Sequence, residues 1–234
     1  MRLETVFLDA GGVLLSPNWE RVAQALRRHG VPAEAAALAA AEPLAKRQLD
    51  TPEQIRTSSD DSRGWLYFDL VLSRAGIAAT DRSAAAFDEL RRYHGQRNLW
   101  ETVPGDVRPG LARLRAAGLK LAVVSNSNGT LLSHLERLEL TRHFVLVLDS
   151  HQEGVEKPDP RFFQIALERS GSRAETTMHL GDLYEVDVVG ARGAGLRAVL
   201  LDSADLYGDH DCPRSPSLGA FVDALLAGAF MAGA

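Results

Sequence analysis

The spacing of apolar residues changes character twice along the chain. Glu4-Thr5-Val6-Phe7-Leu8-Asp9 is a short apolar run closed by a carboxylate and followed by Gly11 and Gly12, which predicts a buried strand and a tight turn. From Ser16 to Glu101 the pattern becomes alanine, arginine and leucine at helical spacing. It predicts helices at Trp19–His29, Ala33–Leu49 (interrupted or kinked at Pro43), Arg63–Ala75 and Arg82–Arg97, punctuated by Gly30, Pro52 and Gly76. After Pro104-Gly105 the two patterns alternate. Helix Val107–Ala117 is followed by strand Leu119–Ser125, helix Thr130–Leu138, strand Phe144–Leu148, helix Pro160–Ser170, strand Thr177–Gly181, helix Val186–Ala194, strand Arg197–Leu201 and a helix near Leu218–Leu226.

Strands that read as unbroken Val, Leu and Ile runs, with helices between them, predict a parallel sheet covered on both faces. The first strand has the same character and joins that sheet. The expected fold class is therefore α/β, a Rossmann-like parallel sheet made of residues 1–15 and 103–234, with residues 16–102 inserted as an all-helical cap domain. In open α/β sheets ligands bind beyond the carboxyl ends of the strands. That rule singles out Asp9, Ser125-Asn126, Asp149-Ser150 and Gly181-Asp182, with Lys157 just ahead of a helix.

Composition narrows the classes. A chain of 234 residues, 45% hydrophobic and 24% charged, is large enough for a full core and a smaller second lobe. No apolar stretch approaches membrane-spanning length, which predicts no membrane partner. The N-terminus runs directly into the first strand, which predicts no leader, and one cysteine, Cys212, suits a reducing, cytoplasmic setting. With 26 basic against 31 acidic side chains the net charge is −5, and no basic block stands out, so nucleic acid is not an expected partner. The bases are nearly all arginine; Lys46, Lys120 and Lys157 are the lysines.

Taken singly, the candidate residues have ordinary readings. Asp9 fits an Asx turn or cap, Ser125-Asn126 a turn, Lys157 a solvated surface cation, and Asp182 and Asp187 acids near a helix start. The ordered set Asp, Ser, Lys, Gly-Asp-x-x-x-x-Asp, each after a strand or before the next helix of one sheet, is far rarer. The stretches are Phe7-Leu8-Asp9-Ala10-Gly11-Gly12-Val13, Ala122-Val123-Val124-Ser125-Asn126, Glu156-Lys157-Pro158-Asp159-Pro160 and Leu180-Gly181-Asp182-Leu183-Tyr184-Glu185-Val186-Asp187. They resemble the haloacid dehalogenase (HAD) superfamily of hydrolases, whose members carry a helical cap inserted after the first strand. The resemblance covers the core and reaches the cap by position and helicity only.

That resemblance implies a Mg²⁺-dependent hydrolase acting on a small phosphorylated molecule. Asp9 would be the nucleophile, forming an aspartyl-phosphate that water then hydrolyses. Asp9, the backbone carbonyl of Gly11 and Asp182 would hold the ion, with Asp187 acting through water or as an outer anchor. Lys157 would pair with Asp9 and the phosphoryl oxygens, and Ser125 with the neighbouring amide of Asn126 would hydrogen-bond them. A carboxylate attacking a phosphate monoester is one anion approaching another, so the site has to supply positive charge.

One position departs from the family pattern. Phosphatases of the superfamily usually carry a second aspartate two residues after the nucleophile, as general acid and base; here Gly11 stands there. A carbonyl survives for the metal, but the acid–base help, typically about 10²–10⁴-fold, does not. The first expectation is a phosphatase with a substitute proton donor or a substrate with a good leaving group. The alternatives are a C–P or C–halogen bond hydrolase of the same superfamily and a non-catalytic phosphate-binding protein. Retention of Gly181-Asp182 and Asp187 counts against dehalogenation. A Schiff-base route would call on Lys46, the one lysine of the insertion, which reads instead as a solvated helix residue. The insertion balances twelve basic with twelve acidic side chains between Ser16 and Glu101, no strong lure for a highly charged ligand. His179 reads as a strand residue, Gly208-Asp209-His210-Asp211-Cys212 as a polar loop, and Trp65, Tyr67 and Phe68 as core aromatics.

Overall fold

The computed structural model describes residues 2–230. Strand β1 (Thr5–Leu8) opens the fold, followed by helices α1 (Trp19–Arg28), α2 (Ala35–Leu49), α3 (Pro52–Thr57), α4 (Asp60–Arg74) and α5 (Asp81–Arg97). The alternating part is α6 (Val107–Ala116), β2 (Lys120–Ser125), α7 (Leu131–Arg137), β3 (Leu146–Asp149), α8 (Ser150–Glu153), α9 (Pro160–Ser170) and β4 (Thr177–Gly181). It ends with α10 (Val189–Gly193), β5 (Arg197–Leu201), β6 (Arg214–Ser215) and α11 (Leu218–Leu226). The residues up to Ser16 together with those from Val103 onward form one compact unit, and Pro17–Thr102 form a second. Among the described residues no helix is long and apolar enough to cross a membrane.

The first unit is built on six parallel strands in the order β3-β2-β1-β4-β5-β6. β1 is central because Val6, Phe7 and Leu8 are apolar on both faces and fully buried. Its register places Leu8 beside Val123 of β2 and Leu180 of β4. The three strands therefore end nearly level, and the ladder continues one step further, with the Asp9 N–H donating to the Leu180 carbonyl at 2.9 Å. Asp9, Ser125 and Gly181-Asp182 are delivered to one rim by this register alone. The short edge strand β6 has no counterpart in the apolar pattern, because two residues are too few to show alternation.

The second unit encloses its own apolar core. Trp19, Tyr67, Phe68 and Phe87 are buried in it, with Trp65 and Trp100 packed against them. Tyr67 stacks on Trp100 at 5.8 Å between centroids, and Phe68 meets Trp100 edge-on at 5.4 Å. Its two ends are tied: the Asn18 N–H donates to the Leu99 carbonyl at 2.9 Å, and Glu101 accepts from Asn18, Arg21 and Tyr93.

Capping chemistry shifts one boundary and adds one helix relative to the sequence expectation. Ser59 and Ser62 exchange side-chain-to-backbone bonds, so α4 starts at Asp60 rather than Arg63. Helix α3 was not expected at all; Thr51 caps it by accepting from the Gln54 N–H at 3.3 Å, and Pro52 occupies its first turn. Helix α2 runs through Pro43 without an interruption in its span. The expected helix Val186–Ala194 is instead a π turn, Tyr184–Val188, leading into α10. Periodicity cannot separate the two over one turn, and the wider turn matters below.

Candidate active site

The rim of the central strands gathers the ionisable groups. Lys157 lies ahead of α9, its side chain fully buried, and its Nζ donates to Asp9 Oδ1 and to Asp187 Oδ1, each at 2.6 Å. An ammonium between two carboxylates in a buried setting is a pair of charge-assisted hydrogen bonds. Burial alone would lower its pKa, but Asp187 and Asp9 reverse that and hold Lys157 above the ordinary lysine value, protonated.

The backbone of Lys157 is fixed by Asn126. Its Oδ1 accepts from the Lys157 N–H at 2.8 Å and its Nδ2 donates to the Lys157 carbonyl at 3.0 Å. The Asn126 side chain is thus committed to Lys157, which leaves its main-chain N–H as the group expected at the substrate. Ser125, at the end of β2, keeps its hydroxyl near the loop that follows β1, with the Ala10 N–H 3.4 Å away. Asp149 and Ser150 serve the neighbouring turns: Asp149 accepts from Leu131 and His151, and Ser150 Oγ from the Ser127 N–H.

Asp187 is the hub. The π turn folds its carboxylate back beneath the end of β4, where Oδ2 accepts from the Asp182 and Leu183 N–H groups at 3.1 and 3.0 Å. Oδ1 is shared between Lys157 and His179 Nε2, the latter at 2.9 Å. Burial would raise its pKa, yet Lys157 and His179 drive it well below the usual carboxylate range. All of the roughly four acceptor positions of a carboxylate are occupied. His179, fully buried in β4, was not expected in this cluster. Its signal in the sequence is a single ionisable residue inside the strand, two positions before Gly181. Burial holds its imidazole below the ordinary histidine pKa, against the pull of Asp187.

Two glycines make the packing possible. A Cβ on Gly181 would lie 2.1 Å from Asp187 Cγ. A Cβ on Gly12, which has φ +74°, would lie 1.8 Å from Asp182 Oδ2. Glycine is required there by space and, at Gly12, by backbone conformation as well. Gly11 pairs with Leu15 in the same tight loop.

Asp9, Asp182 and Asp187 each place a carboxylate oxygen within 4.8 Å of the others, the one such metal-competent group found among the described residues. Three acids face one ammonium. The shortfall registers on Asp9, where burial, opposed by Lys157 and reinforced by Asp187 and Asp182, pushes the carboxyl up to about 7. A hard, all-oxygen donor set short of positive charge fits a Mg²⁺-like cation. The loop Gly208–Cys212 is not part of this group; its His210 packs against Tyr184 at 4.3 Å and meets Asp209. In the second unit, Lys46 is not the solvated helix residue expected: its side chain is only 16% exposed, because it pairs with Glu42 one turn earlier at 3.6 Å.

The fold is thus a parallel α/β sheet that collects a lysine and three acids at the carboxyl rim of its central strands. Residues 3–195 match the family model described as haloacid dehalogenase-like hydrolase, and the chain belongs to that family. It is 34% identical over 180 residues, 75% of this chain and 71% of its relative, to haloacid dehalogenase-like hydrolase domain-containing protein 3 of Bos taurus. It is 38% identical over 135 residues, 56% of this chain and 51% of the other, to a phosphoserine phosphatase of Thermus thermophilus. Among solved structures, a HAD-hydrolase of Bacillus subtilis crystallised with magnesium aligns over 96% of this chain and 99% of its own, with a TM-score of 0.70 at 20% identity. That last likeness speaks for the fold.

Proposed function

We propose that this HAD-type hydrolase is a divalent-cation-dependent phosphatase of a small organic phosphate, working through Asp9. The observation that carries the reading is the Lys157 ammonium 2.6 Å from Asp9 Oδ1 within a cluster of three carboxylates. The phosphatase names among its relatives support the same reading.

Asp9, the Gly11 carbonyl and Asp182 would hold the cation, and Asp187, its oxygens already taken, would anchor Lys157 and the Asp182 turn. When bound, the ion supplies positive charge that the three acids leave wanting and that an incoming phosphate requires. Asp9 is the nucleophile: a carboxylate oxygen bonds to phosphorus as the bond to the leaving oxygen breaks. Lys157 neutralises charge on Asp9 and the phosphoryl group, and the Ser125 hydroxyl with the Asn126 main-chain N–H orients the phosphoryl oxygens. Water then cleaves the acyl-phosphate and restores the Asp9 carboxylate.

Gly11 offers no proton to the departing oxygen, so leaving groups that depart as stable anions, aryl and acyl phosphates, are the better substrates. A dehalogenase has no use for the cation-fitted acid cluster. A Schiff-base route would need Lys46 as a free amine at the site, and its ammonium is instead paired with Glu42 on its own helix.

The test compares aryl, acyl and alkyl phosphates with MgCl₂ and with EDTA. Hydrolysis is expected to need the metal and to fall steeply from aryl to alkyl esters, and Gly11→Asp is expected to raise alkyl turnover more than aryl turnover, by up to about 10². Metal-independent halide release from a 2-haloacid, with no phosphate release, overturns the reading.

A further inference from the structure

One buried ionisable group has no part in the reaction above. His179 occupies β4 level with Phe7 of β1, with no solvent exposure, and its ring meets Phe163 edge-on at 4.9 Å. Its Nε2 lies 2.9 Å from Asp187 Oδ1, the oxygen that also accepts from Lys157. An ionised carboxylate only accepts, so the imidazole carries its proton on Nε2 and donates.

We propose that His179 is a positioning residue: by donating Nε2–H to Asp187 Oδ1 it fixes the carboxylate that holds the Lys157 ammonium against Asp9. The inference rests on the roles given to Lys157 and Asp9 in the proposed function. Asp187 Oδ2 is pinned by two main-chain N–H groups. Oδ1 would otherwise be held only by lysine, whose four-carbon stem is the most flexible partner available. A ring set in a strand supplies the rigid third point, and Lys157 inherits that rigidity. An apolar residue would pack against Phe163 equally well without burying a polar ring, so the imidazole is matched to Asp187 rather than to the core.

The test uses His179→Leu and His179→Gln, the second retaining an N–H directed at Asp187. Turnover of p-nitrophenyl phosphate at saturating MgCl₂ is one readout. The other is the acetylation rate of each lysine by acetic anhydride, mapped by peptide mass spectrometry. With lysines only at 46, 120 and 157, exposed Lys120 serves as internal reference.

In the leucine variant kcat is expected to fall about 10–100-fold with little change in KM, the usual effect of losing a residue that orients a site. Lys157 acetylation is expected to rise severalfold relative to Lys120, and glutamine to restore both. Unchanged kcat and unchanged Lys157 labelling in the leucine variant overturn the proposal, and so does a loss that glutamine fails to rescue. If the wild-type protein hydrolyses no phosphate ester, the functional reading falls while the labelling comparison still decides the positioning. Where the leucine variant does not fold, imidazole ¹⁵N spectra of the wild type decide: a slowly exchanging proton on Nε2 upholds the proposal, and a proton on Nδ1 overturns it.

Discussion

The rim of the parallel sheet and the interior of the helical unit are both largely shielded from water, and they are filled with opposite materials. At the rim, Asp9, Lys157, Asp182, Asp187 and His179 are buried together. In the helical unit the same degree of burial falls on Trp19, Tyr67, Phe68 and Phe87. Desolvating an ion costs several kcal/mol, recovered only through well-placed partners, whereas burying a large apolar side chain contributes about 1.5–3 kcal/mol outright. The first region is held together at a cost, which the proposed function would explain by its need for charge out of water; the second gains stability outright. Equal burial therefore says nothing about purpose until the chemistry of what is buried is counted.

Exchanging single side chains should drive the two regions apart. Asp9→Asn removes one of three crowded acids and the proposed nucleophile. Turnover of p-nitrophenyl phosphate is expected to fall on the order of 10³-fold or more, while the melting temperature of the metal-free protein stays level or rises. A variant that melts earlier and still turns over would dissolve the contrast. Phe68→Ala should do the reverse, leaving a cavity in the helical core and costing about 3–5 kcal/mol in denaturant unfolding. Ser59→Ala sharpens the comparison from its small end: loss of the α4 cap is expected to cost about 1 kcal/mol of stability, with the acetylation pattern of Lys157 unaltered.

The same contrast explains what could be read from the chain in advance. Strands β1 and β2 announce themselves because both faces are buried, which leaves unbroken apolar runs ending in polar residues, whereas β4 is broken by His179. Asp9 and Asp182 stand out because charge is conspicuous where strands end, and the register brings them to one place, where Lys157 and Asp187 join them from the turns that follow. His179 escaped because one polar residue inside a strand looks like a tolerated core histidine; only the π turn that swings Asp187 beneath β4 gives it a partner. The role of the Asn126 side chain depends on two bonds to a backbone more than thirty positions away, which no local pattern encodes. Helix α3 did carry a signal, Thr51 before Pro52, but its single turn left too few apolar positions to reveal a period.

The tie between the ends of the helical unit bears on how the chain can be assembled. Thr5 pairs with Lys120, so joining the two strands means closing a loop of more than a hundred residues. Once Asn18 and Leu99 are bonded, the intervening helices no longer count as slack, and the span left to close shrinks to the short segments on either side. Loop-closure entropy grows with the logarithm of length, so this shortcut is worth about 1 kcal/mol. A chain emerging from the ribosome holds its first strand unpaired until the second appears, and an insert whose ends are already tied would carry that waiting strand to its neighbour.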